Sequence, residues 1–502
     1  MIENGVIMKK RKKKILAGIC FLLTLLGIMA IASVIFVNNS YNEPTFEQII
    51  FQITSPMDGM SASYVFQVLL NCLFLPLAIV VCLSVVSGIL IKRKIWKKPF
   101  RFLGIPLAAL IVFIGGFWYA IDRLGIVEYF RYQSEESYLI EENFVDPNSI
   151  ALTFPEKKKN LIYIYLESME TTYQSKEEGG IFDFNCIPEL TNLAKENVSF
   201  STTDGVGGYL PCYGAGWTIA SMFCQSSGLP FLTPVDANAM SLYERFMPAV
   251  TSIGEILETQ GYQNVFMSGS IARFGGTDNW FSQHGDYEIC DYEWAVAEGK
   301  IPDDYYVFWG FEDAKLFEFA KEKLLQMAKG DQPFNLTMTT IDTHFEDGYV
   351  CELCENEFGK NQYANVMACS SRQLAEFVKW VQDQEFGDDT MIVLIGDHLT
   401  MDSNFCDDTP EGYVRCAYDV FINPSVSPVQ EKNRACTTLD FMATTLGGLG
   451  VEIEGNRVGL GTNLFSEEET LLEKLGGDLG AMDAEFAKKS SFYQDRFLYS
   501  ME

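Results

Sequence analysis

Three stretches without a single charged residue mark the first quarter of the chain: 15–37, 64–91 and 102–121. The first holds 23 residues, Ile15 to Val37. At about 1.5 Å per residue it spans a hydrocarbon core of about 30 Å. Uncharged runs of this length, three in succession, are not what a soluble core contains. They predict a membrane domain over 1–132 with three helices, followed by a linker over 133–158. Ala30-Ile-Ala32 has the look of a signal-peptide cleavage site, but the apolar run continues past it and is too long for the usual apolar region of such a peptide.

From about 159 the pattern changes to short apolar strands alternating with amphipathic helices. Asn160 to Leu166 is β-branched, aromatic and apolar throughout, as strands buried on both faces are. Met391 to Ile395 is a second such run, with shorter strand signals at Asn264 to Met267, Phe334 to Thr339 and Tyr418 to Ile422. Helices are predicted at Pro188 to Asn197, Thr251 to Gln260, Glu312 to Ala328, Arg372 to Asp383 and Thr438 to Leu446. Alternation of this kind predicts an α/β domain over 159–465, a mostly parallel sheet flanked by helices. Residues 466–502 are expected as an acidic C-terminal tail.

Charge turns this division into a topology. Residues 1–14 and 92–101 carry six basic residues each, whereas 38–63 holds three acids and no base. Short Lys/Arg-rich segments stay on the cytoplasmic side. The amino terminus and 92–101 are therefore expected inside, with 38–63 and the whole of 122–502 outside. The outer part holds 25 of the 37 basic and 63 of the 67 acidic residues, a net charge of −38 against −30 for the chain. Such a surface excludes nucleic-acid binding, which needs clustered Lys and Arg.

Ten of the thirteen cysteines lie in this exported part, where disulfides form readily. Cys351-Glu-Leu-Cys354 is half of a zinc knuckle. Since no second Cys-x-x-Cys follows, a local disulfide set with Cys369 is the expectation. With only three histidines, His284, His344 and His398, a His-rich metal site is excluded.

In parallel sheets the chemistry gathers beyond the carboxyl ends of the strands. The run 160–166 ends in Glu167, and the run 391–395 ends in Gly396-Asp397-His398. Carboxylate oxygens with one imidazole suit a divalent cation. Thr218 follows a Gly-rich segment and opens an apolar helical run. It has two readings: an N-cap that satisfies a helix amide, or a metal-activated nucleophile placed where the helix start favours an anionic phosphate. His284 is expected to be structural, and Glu170 a solvated acid or a support for the metal ligands.

At these residues the chain resembles the sulfatase-like branch of the alkaline phosphatase superfamily, and within it the membrane phosphoglycerol transferases. The osmoregulated-glucan phosphoglycerol transferases are the nearer match and the lipoteichoic acid synthases a more distant one. The resemblance is carried by Tyr163-Ile-Tyr-Leu-Glu-Ser-Met-Glu170, Pro188-Glu-Leu-Thr191, Trp217-Thr-Ile-Ala220 with Ser227-Gly-Leu-Pro230, Trp309-Gly-Phe-Glu-Asp313, Thr340-Ile-Asp-Thr-His344 and Gly396-Asp-His398, in order over 160–465. It implies a metal site of Glu167, Thr218, Asp397 and His398, with Thr218 as nucleophile. It further implies a catalytic and substrate-side role for His344, and Arg273 and Asp278 in the glycerol-phosphate pocket. The implied partners are the bilayer, phosphatidylglycerol as donor, and an envelope glucan, glycolipid or polymer as acceptor. Two carboxylates, a hydroxyl and one imidazole favour Mn²⁺ or Mg²⁺, with Zn²⁺ as the alternative. No Cys/Ser-x-Pro-x-Arg signature is present, which speaks against sulfate-ester hydrolysis. A phosphoethanolamine transferase, a phosphodiesterase and an inactive envelope-polymer-binding protein are the alternatives.

Overall fold

The computed structural model describes residues 2–41, 44–54, 62–97, 99–233, 245–402 and 404–498. Asp58 and its neighbours in the expected outer loop, Lys98 of the basic segment, and 499–502 at the end of the expected tail lie outside them. The described chain forms two compact units, residues up to 46 with 60–131, and 47–59 with 132 onward.

In the first unit, three helical stretches are long and apolar enough to cross a membrane: Arg11–Ser40, Tyr64–Lys92 and Phe100–Arg123. The first belongs to α1 (Ile2–Ser40); the others end in α2 (Leu75–Lys92) and α3 (Ile105–Arg123). A π-turn precedes each of the latter two, Leu70–Phe74 and Phe100–Gly104, and a proline follows it, Pro76 and Pro106. Proline cannot complete the helical hydrogen bond four residues back, and the widened turn absorbs the mismatch. α1 and α3 meet at two glycines: a Cβ on Gly116 would lie 2.3 Å from the Gly27 carbonyl oxygen, so nothing larger fits without displacing a helix.

The second unit is built on a six-stranded sheet. Its strands are β1 (Asn160–Leu166), β2 (Gln263–Ser268), β3 (Glu288–Cys290), β4 (Phe334–Thr339), β5 (Thr390–Gly396) and β6 (Asp419–Ile422), in the order β3-β2-β4-β1-β5-β6. All neighbours are parallel except β6, which runs antiparallel to β5 at the edge. Along β1, Leu161, Tyr163 and Tyr165 face one core while Ile162, Ile164 and Leu166 face the other. Burial on both faces is why the sequence shows a continuous apolar run instead of alternation. One core is closed by α5 (Thr218–Ser227), α6 (Ile253–Thr259), α7 (Thr277–Gln283) and α10 (Phe441–Gly448). The other is closed by α4 (Pro188–Glu196), α8 (Asp313–Met327) and α9 (Gln362–Gln382).

Three boundaries differ from expectation. α9 starts ten residues before the predicted Arg372, with the Asn361 side chain accepting from Ala364 N at 3.2 Å as its cap. The first half of α9 is full of small residues and carries little periodicity. The expected linker is folded: Leu139–Asn143 is helical with Ile140 buried, and Leu152–Thr153 pairs with Glu452–Ile453. The expected acidic tail is part of the core. Leu471, Leu472, Met482, Phe486, Tyr493, Phe497 and Leu498 are buried in it, so its acids cover an apolar inner face.

Candidate active site

The register of two central strands brings the site together. Leu166, the last residue of β1, pairs with Gly396, the last residue of β5. Glu167 and Asp397 therefore leave the sheet side by side. Gly396 permits this, because a Cβ there would come within 2.0 Å of the Met169 carbonyl oxygen. On the other flank, the residues after β4 fix the turn: Thr340 Oγ1 accepts from Glu167 N at 3.0 Å, and Thr343 Oγ1 donates to Glu167 O at 2.6 Å. Ser168 takes a left-handed conformation, φ 55°, a cost that marks a position held by its surroundings. From there its N–H donates to Asp397 Oδ1 and its hydroxyl to Glu167 Oε1, at 2.8 and 2.7 Å.

Thr218 comes to this pair from α5. Trp217 is the residue that precedes the helix, in extended conformation, and Thr218 is the first residue inside it. The N-cap reading of Thr218 is thus replaced. Its hydroxyl turns to the site, 3.2 Å from Glu167 Oε2 and 3.3 Å from His398 Nε2. Glu167, Asp397 and His398 are buried, whereas Thr218 is half-buried and Gly216 beside it is exposed. The hydroxyl lies on the accessible side of a buried acidic cluster. No capping oxygen comes from Trp217, which leaves the amides of the first helical turn for an anionic group.

The donor set fits a divalent cation. Glu167, Asp397 and His398 each offer a ligand atom within 4.8 Å of the others. Asp397 Oδ2 is buried without a hydrogen-bond partner, and a cation would compensate two buried carboxylates this close together. His398 Nδ1 donates to the Leu399 carbonyl at 2.8 Å, which leaves the Nε2 lone pair facing Asp397 Oδ2 at 3.4 Å. A backbone carbonyl on the far nitrogen is how metal-binding histidines are usually oriented. Burial, then the Glu167 charge, push the Asp397 carboxyl up to about 7. Burial works to raise Glu167 as well, but His344, His398 and the Ser168 and Thr218 hydroxyls outweigh it and hold the carboxyl below its ordinary range. On His398, burial is outweighed by Asp397 and Glu167, and the imidazole is raised.

His344 lies close enough for its charge to act on Glu167. Burial lowers its pKa, with Glu167 opposing. Its Nδ1 donates to the Phe345 carbonyl at 2.7 Å, so Nε2 is the nitrogen left to accept a proton. Trp309 packs on the ring, 4.8 Å between centroids, and Phe274 packs on Trp309 at 5.4 Å. Phe274 belongs to the segment between Arg273 and Asp278. That segment reaches the start of α5, since a Cβ on Gly275 would lie 3.6 Å from Ile219 Cγ2. Arg273 itself is half exposed and paired with Glu293 at 2.7 Å. Asp278 sits in the first turn of α7, where burial raises its pKa.

Other residues matter in ways their sequence context does not signal. Glu170 is fully buried and not solvated: Arg415 donates to both its oxygens, and Thr400 N donates to Oε1 at 2.7 Å. This pins the chain two residues beyond His398. His284 is buried, with Nε2 donating to the Phe246 carbonyl at 2.7 Å and the Trp280 ring packed against it, a structural role. Ser168, Thr340 and Thr343 fall inside motif stretches that assign them no role, and Arg415 falls outside all of them.

The family model for sulfatases matches residues 159–451. The chain belongs to the sulfatase family. Curated relatives of this sulfatase-family chain include phosphoglycerol transferase I of Escherichia coli O127:H6, 29% identical over 399 residues, 76% of this chain and 48% of that protein. Phosphoglycerol transferase I of Salmonella choleraesuis is 29% identical over 459 residues, 88% of this chain and 56% of that protein. The chain spans about half the length of the curated relatives it matches. Among solved structures, a protein in the alkaline phosphatase superfamily from Vibrio parahaemolyticus has a TM-score of 0.49 at 18% identity, covering 69% of this chain and 80% of that one. The lipooligosaccharide phosphoethanolamine transferase A of Neisseria meningitidis has a TM-score of 0.48 at 14% identity, covering 86% and 84%.

Proposed function

We propose that this chain transfers a phosphoglycerol group from phosphatidylglycerol to a hydroxyl of an envelope glucan, glycolipid or polymer, through a covalent intermediate on Thr218. The observation that carries the reading is the hydroxyl of half-buried Thr218, held by buried Glu167 and His398 at the start of a helix. The curated relatives are named phosphoglycerol transferases, which supports the choice of group.

Glu167, Thr218, Asp397 and His398 would hold one divalent cation, Mn²⁺ or Mg²⁺ by the predominance of oxygen donors. When bound, it supplies positive charge that acidifies the Thr218 hydroxyl and neutralises phosphoryl oxygens. Thr218 Oγ1 forms a bond to phosphorus, and the bond from phosphorus to the diacylglycerol oxygen breaks. The first-turn amides of α5 hold the phosphoryl oxygens. Diacylglycerol leaves with the proton that Thr218 gave up, carried across by His344 Nε2. In the second half, His344 Nε2 takes the proton of the acceptor hydroxyl, whose oxygen displaces Thr218, and returns that proton to the Thr218 oxygen. Arg273 and Asp278 line the glycerol side, next to the aromatic wall of Phe274 and Trp309. The three apolar helices keep this chemistry at the lipid surface, in a plasma membrane with the amino terminus cytoplasmic and the catalytic unit extracytoplasmic.

The test is incubation of the detergent-solubilised chain with Mn²⁺ and phosphatidylglycerol, followed by peptide mass spectrometry. The expected result is diacylglycerol release and a glycerophosphoryl adduct on Thr218. Release that persists in Thr218→Ala overturns the intermediate. Equal turnover of phosphatidylethanolamine moves the assignment to a phosphoethanolamine transferase, and repeated turnover to free glycerol phosphate without any acceptor moves it to a hydrolase.

A further inference from the structure

Three cysteines that the reaction does not use meet beyond the loop carrying His344. Cys351 Sγ lies 3.7 Å from Cys354 Sγ and 3.7 Å from Cys369 Sγ. All three sulfurs lie within 4.8 Å of one another, with Cys351 and Cys369 buried and Cys354 half-buried. Cys351 and Cys354 sit on a tight turn, and Cys369 is on the inner face of α9. Cys354 N donates to the Cys351 carbonyl at 3.1 Å, which closes the Cys-x-x-Cys turn and brings both sulfurs to one side. Gln373, one helical turn beyond Cys369, completes the group. Its Nε2 lies 3.3 Å from Cys369 Sγ and 3.8 Å from Cys351 Sγ, and its buried Oε1 has no hydrogen-bond partner.

We propose that Cys351, Cys354 and Cys369 bind a thiophilic divalent cation of the Zn²⁺ class, with the Gln373 side-chain amide in the fourth position. Metal–sulfur bonds of about 2.3 Å at tetrahedral angles place sulfurs about 3.8 Å apart. The 3.7 Å separations match that spacing. An oxygen ligand on the same ion would lie about 3.6 Å from each sulfur. The Gln373 amide already stands at 3.3 and 3.8 Å from two of them. Turning that amide over puts Oε1 on the ion and relieves its missing bond. Binding converts the three thiols to thiolates and releases their protons to solvent.

The ion would act as a clip. Tyr349 N donates to the Asp342 carbonyl at 2.7 Å, and the Tyr349 ring stacks on Phe308 at 5.9 Å. Joining residues 351 and 354 to α9 therefore anchors the end of the loop that presents His344. A disulfide is the rival, and it differs in a countable way: three sulfurs cannot all pair, whereas three can ligate one ion.

The test uses the full chain, solubilised in detergent without reductant. Elemental analysis is combined with intact mass after alkylation, before and after chelation in denaturant. We expect one zinc per chain that falls to background in Cys354→Ser, and all three thiols alkylated only after chelation. Cobalt substitution is expected to give thiolate-to-metal charge-transfer absorption, which the oxygen and imidazole ligands at Thr218 cannot produce. That absorption should persist in Asp397→Asn and vanish in Cys354→Ser. A mass two hydrogens short, with no zinc bound, assigns a disulfide and overturns the proposal, as does thiolate-to-cobalt absorption retained in Cys354→Ser. Because Cys354 is only half-buried, its serine variant tests the site even if Cys351→Ser fails to fold.

Discussion

The hydroxyl of Thr218 donates to the carboxylate of Glu167 at 3.2 Å, although 51 residues separate them in the chain. The bond joins the end of a strand to the start of a helix, and both residues face the same prospective cation. Glu167→Gln keeps the size and removes the charge. It is expected to weaken Mn²⁺ binding by about 100-fold or more, beyond the cost typical of residues that only support ligands. Titration of the metal-free chain by calorimetry checks this. Thr218→Ser should retain turnover, and Thr218→Val should abolish it while still binding the metal.

Arg415 grips Glu170 through Nε and Nη2, with the carboxylate wholly buried. Arg415→Leu leaves that charge uncompensated and should lower stability by about 3–5 kcal/mol. The double variant Arg415→Leu with Glu170→Leu should recover much of the loss. Chemical denaturation of the full chain in detergent reads both.

Asp419 opens β6 at the sheet edge. Burial raises its carboxyl from 3.8 to about 7, against the opposing effects of Phe200 N–H and Lys432. A raised folded-state value means its contribution is fully present below pH 3.8 and is lost as pH rises through about 7. The loss amounts to about 4 kcal/mol at about 1.4 kcal/mol per pH unit. Asp419→Asn should flatten the fall in melting temperature between mildly acidic and neutral pH. The slope is the readout, since the amide changes the absolute stability as well.

The contact between Gly27 and Gly116 predicts a sharp contrast within α3. A Cβ on Gly116 would meet the Gly27 carbonyl oxygen at 2.3 Å, whereas one on Gly115 meets nothing within 4 Å. Gly116→Ala should cost about 1–3 kcal/mol through overpacking, and Gly115→Ala should be close to neutral. Thermal melts of the two variants in detergent distinguish them.

Local chemistry made much of this protein legible. Long uncharged runs can only be buried in lipid or a very large core, and the three apolar helices follow them closely. The continuous apolar runs 160–166 and 391–395 are both strands of the central sheet, because burial on two faces leaves no polar alternation. The strand-end position of Glu167 and Asp397 also followed, since a parallel sheet gathers its chemistry at one edge.

Tertiary structure decided what depends on distant partners. Thr218 could cap its helix or face a site, and only the approach of α5 to β1 and β5 made it a neighbour of Glu167 and His398. Glu170 has the composition of a surface acid, yet Arg415, 245 residues away, buries it. The acidic stretch 466–498 has no strong periodicity, and its apolar residues are core because they pack with residues distant in the chain on one face of the sheet. Sequence spacing constrains a segment's own conformation. Which face meets which is settled by packing between segments far apart in the chain, and that information is not local.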